Sequence, residues 1–383
     1  MLSLPIYLDN NATTPLDPRV LQEMMPFLQE HFGNPASTTH AYGWVAEEAV
    51  NLARERIALS IGANPEEIIF TSGATESDNL AILGMIRPGD HLIVSSVEHK
   101  AVLDPARFLQ ACGVEVTFLG VDQYGQVDPH DVEQAIKRNT KLISIMLANN
   151  EVGTINPIRD ISEIAHTYNI VMHTDAAQAL GKIPVSVQEL GIDLMSLSAH
   201  KCYGPKGIGA LYIRKSIRHK LQPIIRGGGH EKGLRSGTLN VPGIVGFGKA
   251  AEIASDNLLE EKLRLQRMRD LLWEKLSHSL TDIKMNGHPI YRLPNTLNVT
   301  FKGISASELL AELSGVAASS GSACTSAHPE PSHVLLAMGI EEEDAKSAIR
   351  FSLGRFNTER EIEEAAQQII LTVGRIKQYK KTA

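Results

Sequence analysis

Three observations predict an α/β fold: a mostly parallel central sheet covered by helices, with a smaller α+β C-terminal domain. Short apolar runs alternate with helical patterns over the first two thirds of the 383 residues. The pattern then changes near Ser255 to a long charged helical stretch, and the chain closes on a strongly amphipathic helix. Alternation of this kind argues for strands joined by helical crossovers.

In chain order the strand runs are "EIIF", "HLIVSS", "EVTFLGV", "KLISIML", "NIVMHTDA", "LMSLS" and "GALYIR". They are too short for helices and lack the alternation of a half-exposed strand, so both faces should be covered. Between the N-terminus and the first run, "WVAEEAVNLARERIALSIG" places Val45, Ala49, Leu52 and Ala53 at helical spacing, and these form the expected buried side. Beyond Ser255, "SDNLLEEKLRLQRMRDLLWEKLSHSL" reads as a helix carrying the chain between domains. Expected boundaries are 14–255 for the large domain and 1–13 with 256–383 for the small one. At the C-terminus, Thr358 followed by Glu361 fits a capping box, and Ile362, Ala365, Ile369, Val373 and Ile376 share one face. The small, turn-forming residues of "GVAASSGSACTSAHPEP", 315–331, read as an exposed loop.

Composition narrows the function. At 43% hydrophobic and 21% charged the chain is globular, and a net charge of −7 with no basic stripe argues against nucleic acid as a partner. No run of 18 apolar residues suggests a membrane span, and the opening "MLSLPIYLDNNATT" lacks a signal-peptide pattern, so a cytoplasmic protein is expected. Three scattered cysteines, Cys112, Cys202 and Cys324, suit reduced thiols better than a disulfide framework.

Three stretches carry chemistry. In "FTSGATESDNL" a strand ends, a glycine follows, and a helix opens at Ala74 and Thr75, whose free N–H groups and dipole suit an anion. An ordinary strand-to-helix turn would look the same. In "IVMHTDAAQALG" Asp175 closes an apolar strand with Gln178 three residues on, where Asp175 is either a helix cap or a functional acid. In "SLSAHKCYGPKG" a buried strand runs into Lys201, beside Cys202 and ahead of Lys206. Asp175 and Lys201 are 26 residues apart, about one strand-helix-strand unit, so both can reach one sheet edge. An anion cradle, a buried acid and a strand-end lysine together suit pyridoxal 5'-phosphate.

Ten stretches spread almost from end to end resemble the fold-type I pyridoxal-phosphate enzymes, and within them the cysteine desulfurases of the NifS/IscS kind. They are "YLDNNATT", "FGNPAS", "FTSGATESDN", "VEHKAVL", "ANNEVGTINPI", "HTDAAQALGK", "SLSAHKCYGPKGIGALY", "GGGHEKGLRSGTLN", "SSGSACTSAHPEPSHVL" and "IRFSLGRFNT". The resemblance implies that Lys201 is the Schiff-base lysine and proton carrier, with Lys206 structural. It implies that Ala74, Thr75, Ser198, Ala199 and His200 surround the phosphate, and that Thr238 reaches the phosphate of a neighbouring subunit in a homodimer. His99 would stack on the ring, Asp175 pair with the pyridine nitrogen and Gln178 bond the ring oxygen. Asn150 and Arg350 would hold the carboxylate of L-cysteine, with Asn34 assisting. Cys324, in the 315–331 loop, would take the sulfur as a persulfide for an acceptor protein such as an iron-sulfur scaffold, and would act as a transient 2Fe-2S ligand in a transfer complex. Cys112 and Cys202 are expected to be inert. The same cofactor residues would also serve a selenocysteine lyase or a small-amino-acid aminotransferase, or a catalytically silent partner-binding platform; which sulfur acceptor applies stays open.

Overall fold

Each of the seven apolar runs is a strand, and together they form one sheet. The computed structural model describes residues 4–320 and 330–382. In chain order its strands are β1 (Ile6–Tyr7), β2 (Ile68–Thr71), β3 (His91–Ser95), β4 (Glu115–Leu119), β5 (Thr140–Ser144), β6 (Val171–Asp175), β7 (Leu194–Ser198), β8 (Gly209–Ile213), β9 (Ile283–Asn286), β10 (Thr296–Phe301), β11 (Val316–Ala317) and β12 (Ala348–Ser352). The large sheet has the order β2-β8-β7-β6-β5-β3-β4. Only β8 runs against the rest, antiparallel to β7 and to β2. The carboxyl ends of β2, β3, β5, β6 and β7 therefore share one edge, the edge where open α/β sheets place their ligands. Strands β2, β3, β6, β7 and β8 are buried at every position because helices cover both faces.

A second, antiparallel sheet, β12-β10-β9, lies in the C-terminal part and has its own core, built from residues such as Leu272, Leu297, Phe301 and Phe351. Phe301 and Phe351 meet edge to face at 6.4 Å. Leu8 joins this core, and β1 pairs in parallel with β11, so the first residues of the chain are tied to its last third. The terminal helix, Glu359–Thr382, starts on the capping box the sequence announced: Thr358 N–H donates to Glu361 Oε2 (2.9 Å) and Glu361 N–H to Thr358 Oγ1 (3.2 Å). Ile362, Ala365, Ile369, Val373 and Ile376 are all buried.

Two readings need correction. The helix Ala41–Ser60 exists, but its buried side is Gly43, Ala46, Val50, Ala53 and Ile57, whereas Val45 and Leu52 are 37% and 45% exposed. The reason is close approach: this helix packs on Val241–Asp256, where a side chain on Gly248 would come within 2.6 Å of the Ala53 backbone. Small residues win the interface because only they allow that distance. The expected loop at 315–331 also begins as a strand, since β11 occupies 316–317.

Candidate functional site

A cavity of about 820 Å³ opens at the carboxyl edge of the large sheet. Of the residues singled out in the sequence, Ala74, Thr75, His99, Asn150, Asp175, Gln178, Ser198, His200, Lys201 and Arg350 line it. They come from the ends of five strands and from β12 of the second sheet, so the fold assembles the site.

Strand β7 ends at Ser198, and a single 3₁₀ turn, Ala199–Lys201, swings the lysine into the cavity. Tyr203 then adopts a left-handed backbone, φ 68°, which is unusual for a bulky residue and costs about 1–3 kcal/mol. The neighbours hold it there: its N–H donates to Thr14 Oγ1 (2.9 Å), its hydroxyl accepts from Arg355 N–H (2.5 Å), and the Arg355 guanidinium lies 4.2 Å over its ring. Lys201 Nζ donates to the carbonyls of Asn11 (2.5 Å) and Ala12 (2.8 Å). Burial, then the charge of Arg350, lowers its pKa to about 8, against the opposing pull of Asp175 and Asp9. Lys201 is thus an amine of which about a tenth is neutral at pH 7, far more than for a lysine of ordinary basicity.

The acid side of the site is deeper than the sequence showed. Asp175, at the end of β6, accepts the Ala177 N–H at 2.8 Å, and burial raises its pKa while His99 and Lys201 oppose the rise. Asp78 lines the same cavity, fully buried and with neither carboxyl oxygen hydrogen-bonded among the described residues. Burial and the proximity of Asp175 raise its pKa well above the usual range. Burial likewise pushes Glu98 up to about 8, although Ser95 Oγ and Met146 N–H both donate to its Oε1. Three crowded carboxyls in a low-dielectric patch cannot all ionise. Asp175 and Asp78, the two that line the cavity, make a seat for one hydrogen-bond donor or one cation.

His99 caps the helix Lys100–Ala111, its Nδ1 accepting from Ala101 N–H at 3.1 Å. That bond leaves the ring proton on Nε2, and burial lowers the pKa, so the ring is a neutral flat surface. Gln178 is fixed at both ends: Nε2 donates to Asn11 O (2.9 Å) and Oε1 accepts from Lys182 Nζ (2.7 Å). Its remaining N–H is a donor for the cavity. Lys182, which sequence reasoning missed, is buried with a pKa pushed down to about 7 by burial and by Lys201. His200 shares a hydrogen bond between Nδ1 and Thr13 Oγ1 (3.1 Å), and burial and Lys201 hold it neutral, near 4.

The helix Ala74–Met85 begins at Gly73 with no side-chain cap, so its first N–H groups face the cavity. Gly209 lets this turn approach β8: a Cβ there would fall 2.6 Å from Gly73 Cα. Pyridoxal 5'-phosphate fits these groups. The uncapped helix start suits its phosphate, the buried Asp175 beside Asp78 suits its protonated ring nitrogen, and Lys201 suits its aldehyde.

Arg350 projects from β12. Its Nη1 donates to Asn150 O (3.0 Å) and its Nη2 to Asp9 Oδ1 (2.7 Å), while Nε is buried without an acceptor among the described residues. Three expected residues are not at the cavity. Ala199 is fully buried and does not line it, because its N–H donates to Ile208 O at 3.2 Å. Asn34 is exposed, its Oδ1 turned back to accept from Ala36 N–H. Thr238 is exposed and away from this chain's cavity. Cys324 lies outside the described residues. Lys206 stands exposed at the rim. Beyond Lys182, reasoning from sequence missed Asp9, Asn11, Ala12, Thr13, Asp78 and Glu98; "YLDNNATT" was the only signal for the first four.

Comparison with known proteins places the chain in company. The profile of the class-V aminotransferase family matches residues 6–364. The cysteine desulfurase IscS of Anaeromyxobacter sp. (strain Fw109-5) is 49% identical over 381 residues, 98% of this chain and 94% of that protein. The cysteine desulfurase IscS of Klebsiella pneumoniae is also 49% identical, covering 98% and 95%. Among solved structures, a NifS-like protein superposes with a TM-score of 0.90 at 41% identity, covering 97% of this chain and all of the other. A structure described as SspA in complex with cysteine gives a TM-score of 0.82 at 40% identity, covering 92% of this chain and all of the other.

Proposed function

Since the chain belongs to the class-V aminotransferase family, we infer that it is a pyridoxal 5'-phosphate-dependent cysteine desulfurase, converting L-cysteine to L-alanine and passing the sulfur to an acceptor protein. The observation that carries this reading is the cavity itself: Lys201, the Asp175 patch, the open helix start at Ala74 and the half-free Arg350 converge on one space.

When bound, pyridoxal 5'-phosphate supplies an aldehyde that bonds covalently to an amine and a ring that withdraws electrons from the α-carbon. The residues of the chain do the rest. Lys201 holds the cofactor and, with its lowered pKa, takes the proton from the α-carbon and returns one to the product. Asp175 would keep the ring nitrogen protonated, the N–H groups of Ala74 and Thr75 with Ser198 and His200 would hold the phosphate, and His99 would cover one ring face. Gln178 offers its N–H to the ring oxygen. Arg350, with Asn150, binds the substrate carboxylate. The thiolate of Cys324 attacks the substrate sulfur: the S–S bond forms, the C–S bond breaks, and its electron pair stays on carbon, which is protonated to the methyl of alanine. Cysteine and an enzyme thiol thus become alanine and an enzyme persulfide.

Two exposed helices support a homodimer. Leu28, Phe32, Tyr42 and Trp44 are each more than half exposed on this chain, with Phe32 stacked on Tyr42 at 5.4 Å. A second copy would cover them and could bring Thr238 to the neighbouring phosphate. We place the protein in the cytoplasm, with an acceptor protein such as an iron-sulfur scaffold. No helix among the described residues is long and apolar enough to cross a membrane.

The decisive assay is product identity. Incubation with L-cysteine and a thiol reductant should yield alanine and sulfide in equal amounts, with no keto acid. A keto-acid product would make the chain an aminotransferase, and turnover of selenocysteine alone a selenocysteine lyase. The lowered pKa of Lys201 adds a pH prediction. Only the neutral amine attacks an aldehyde, so the rate at which cofactor-free protein regains its visible band should rise with pH and level off above about 8. A rate still climbing tenfold per pH unit beyond 9 would show an amine of ordinary basicity.

A further inference from the structure

The guanidinium of Arg350 has three kinds of nitrogen in three different situations. Nη1 is committed to a carbonyl, Asn150 O; Nη2 is committed to a carboxylate, Asp9 Oδ1; and Nε is buried without an acceptor among the described residues. The fold imposes the pairing with Asp9. The Asp9 backbone bridges to Ser352 on β12, two residues beyond Arg350, and alternation along that strand sets Arg350 and Ser352 on the same side. The Asp9 side chain is 21% exposed and lines the cavity, while that of Arg350 is 6% exposed. One carboxylate therefore already sits on the arginine at the place where a substrate carboxylate must arrive.

An incoming α-carboxylate gains most from two parallel N–H bonds. Nε is buried, so a carboxylate arriving from the cavity must meet the terminal nitrogens, where Nη2 already holds Asp9. Binding thus brings two carboxylates onto one guanidinium, and like charges at that distance oppose each other. On the reading of Arg350 as the carboxylate clamp, we propose that Asp9 determines how tightly that clamp holds amino acids: its carboxylate competes with the α-carboxylate and keeps affinity modest. The consequence falls on the product. L-alanine carries the same α-carboxylate as L-cysteine, so an unopposed Arg350 would retain the product, and Asp9 favours its release.

The test uses the cofactor-loaded enzyme and the perturbation of its visible band by two ligands that lack an amine, 3-mercaptopropionate and its amide. In Asp9→Asn the dissociation constant of 3-mercaptopropionate should fall about tenfold, and inhibition by L-alanine should strengthen to a similar degree, while the amide binds as before. A general loosening of the site would move both ligands together. Unchanged or weaker binding of the carboxylate in Asp9→Asn and Asp9→Ser, with the band intact, would overturn the proposal. Should neither variant keep its chromophore, the unmodified enzyme decides: the proposal requires it to prefer the carboxylate over the amide by less than about tenfold, and any larger preference would overturn it. Arg350→Gln separates the two levels. If that change leaves the carboxylate-to-amide preference untouched, the clamp assignment fails whatever the Asp9 variants show.

Discussion

Lys201→Ala is expected to lower alanine formation from L-cysteine by about 10³-fold or more, because it removes both the covalent anchor of the cofactor and the group that moves the α-proton. Three other lysines are close enough to be rivals, and the structure separates them; Lys100 lines the cavity but is exposed at the start of the helix Lys100–Ala111. Lys206 is exposed at the cavity rim. Lys182 has the lower pKa, about 7 against about 8, and basicity alone would favour it. Yet its Nζ is held at 2.7 Å by Gln178 Oε1 and does not line the cavity, whereas Lys201 does. Access therefore outweighs basicity. After borohydride reduction, the cofactor mass should appear on the peptide containing Lys201 in the unmodified enzyme and on no peptide in the variant, and added methylamine should restore part of the activity. Cofactor found on Lys182 or Lys206 would reverse the assignment.

What the sequence revealed and what it concealed follow from one distinction. Strand runs such as "LMSLS" and the face of the last helix were legible because their signal is periodic and local, and local periodicity survives folding. The helix Ala41–Ser60 was legible as a helix but not in orientation. Its larger apolar residues, Val45 and Leu52, attract the eye, yet its partner is a glycine- and alanine-rich helix that admits only small side chains. The site divides in the same way. Lys201, Asp175 and the turn at Ala74 were marked by their place at strand ends. Asp78, Glu98 and Lys182 carry no such mark, because what makes them unusual is burial against residues distant in the chain: Asp175 for Asp78, Met146 for Glu98, Asn11 for Lys182. Asp9 is the extreme case. Its partner Arg350 is 341 residues away in the chain, and no spacing rule reaches that far.

Cys324→Ser is expected to abolish persulfide formation and alanine release while leaving the visible band of the bound cofactor unchanged. The chain has three cysteines, and sulfur transfer needs a thiol that ionises and meets the substrate. Cys202 meets neither condition. It is buried, burial pushes its pKa up to about 12, and its Sγ lies 3.3 Å from the Ala199 carbonyl as a donor, on the side of the 3₁₀ turn away from the cavity lining. Cys112 is exposed, but it sits at the end of the helix Lys100–Ala111 and does not line the cavity. Both exclusions support the proposal that Cys324 is the acceptor. Serine keeps the size of the side chain but cannot form a persulfide, so the loss should be one of chemistry: binding of L-cysteine, followed by the change in the visible spectrum, should persist with a dissociation constant within about threefold of the unmodified enzyme, while alanine falls to background. Alkylation of the unmodified enzyme after a brief pulse of L-cysteine should place the extra sulfur on the peptide containing Cys324. Sulfur on Cys112, or undiminished alanine from Cys324→Ser, would mean that another nucleophile accepts it. Parallel Cys112→Ser and Cys202→Ala variants should both remain active, since neither thiol lines the cavity.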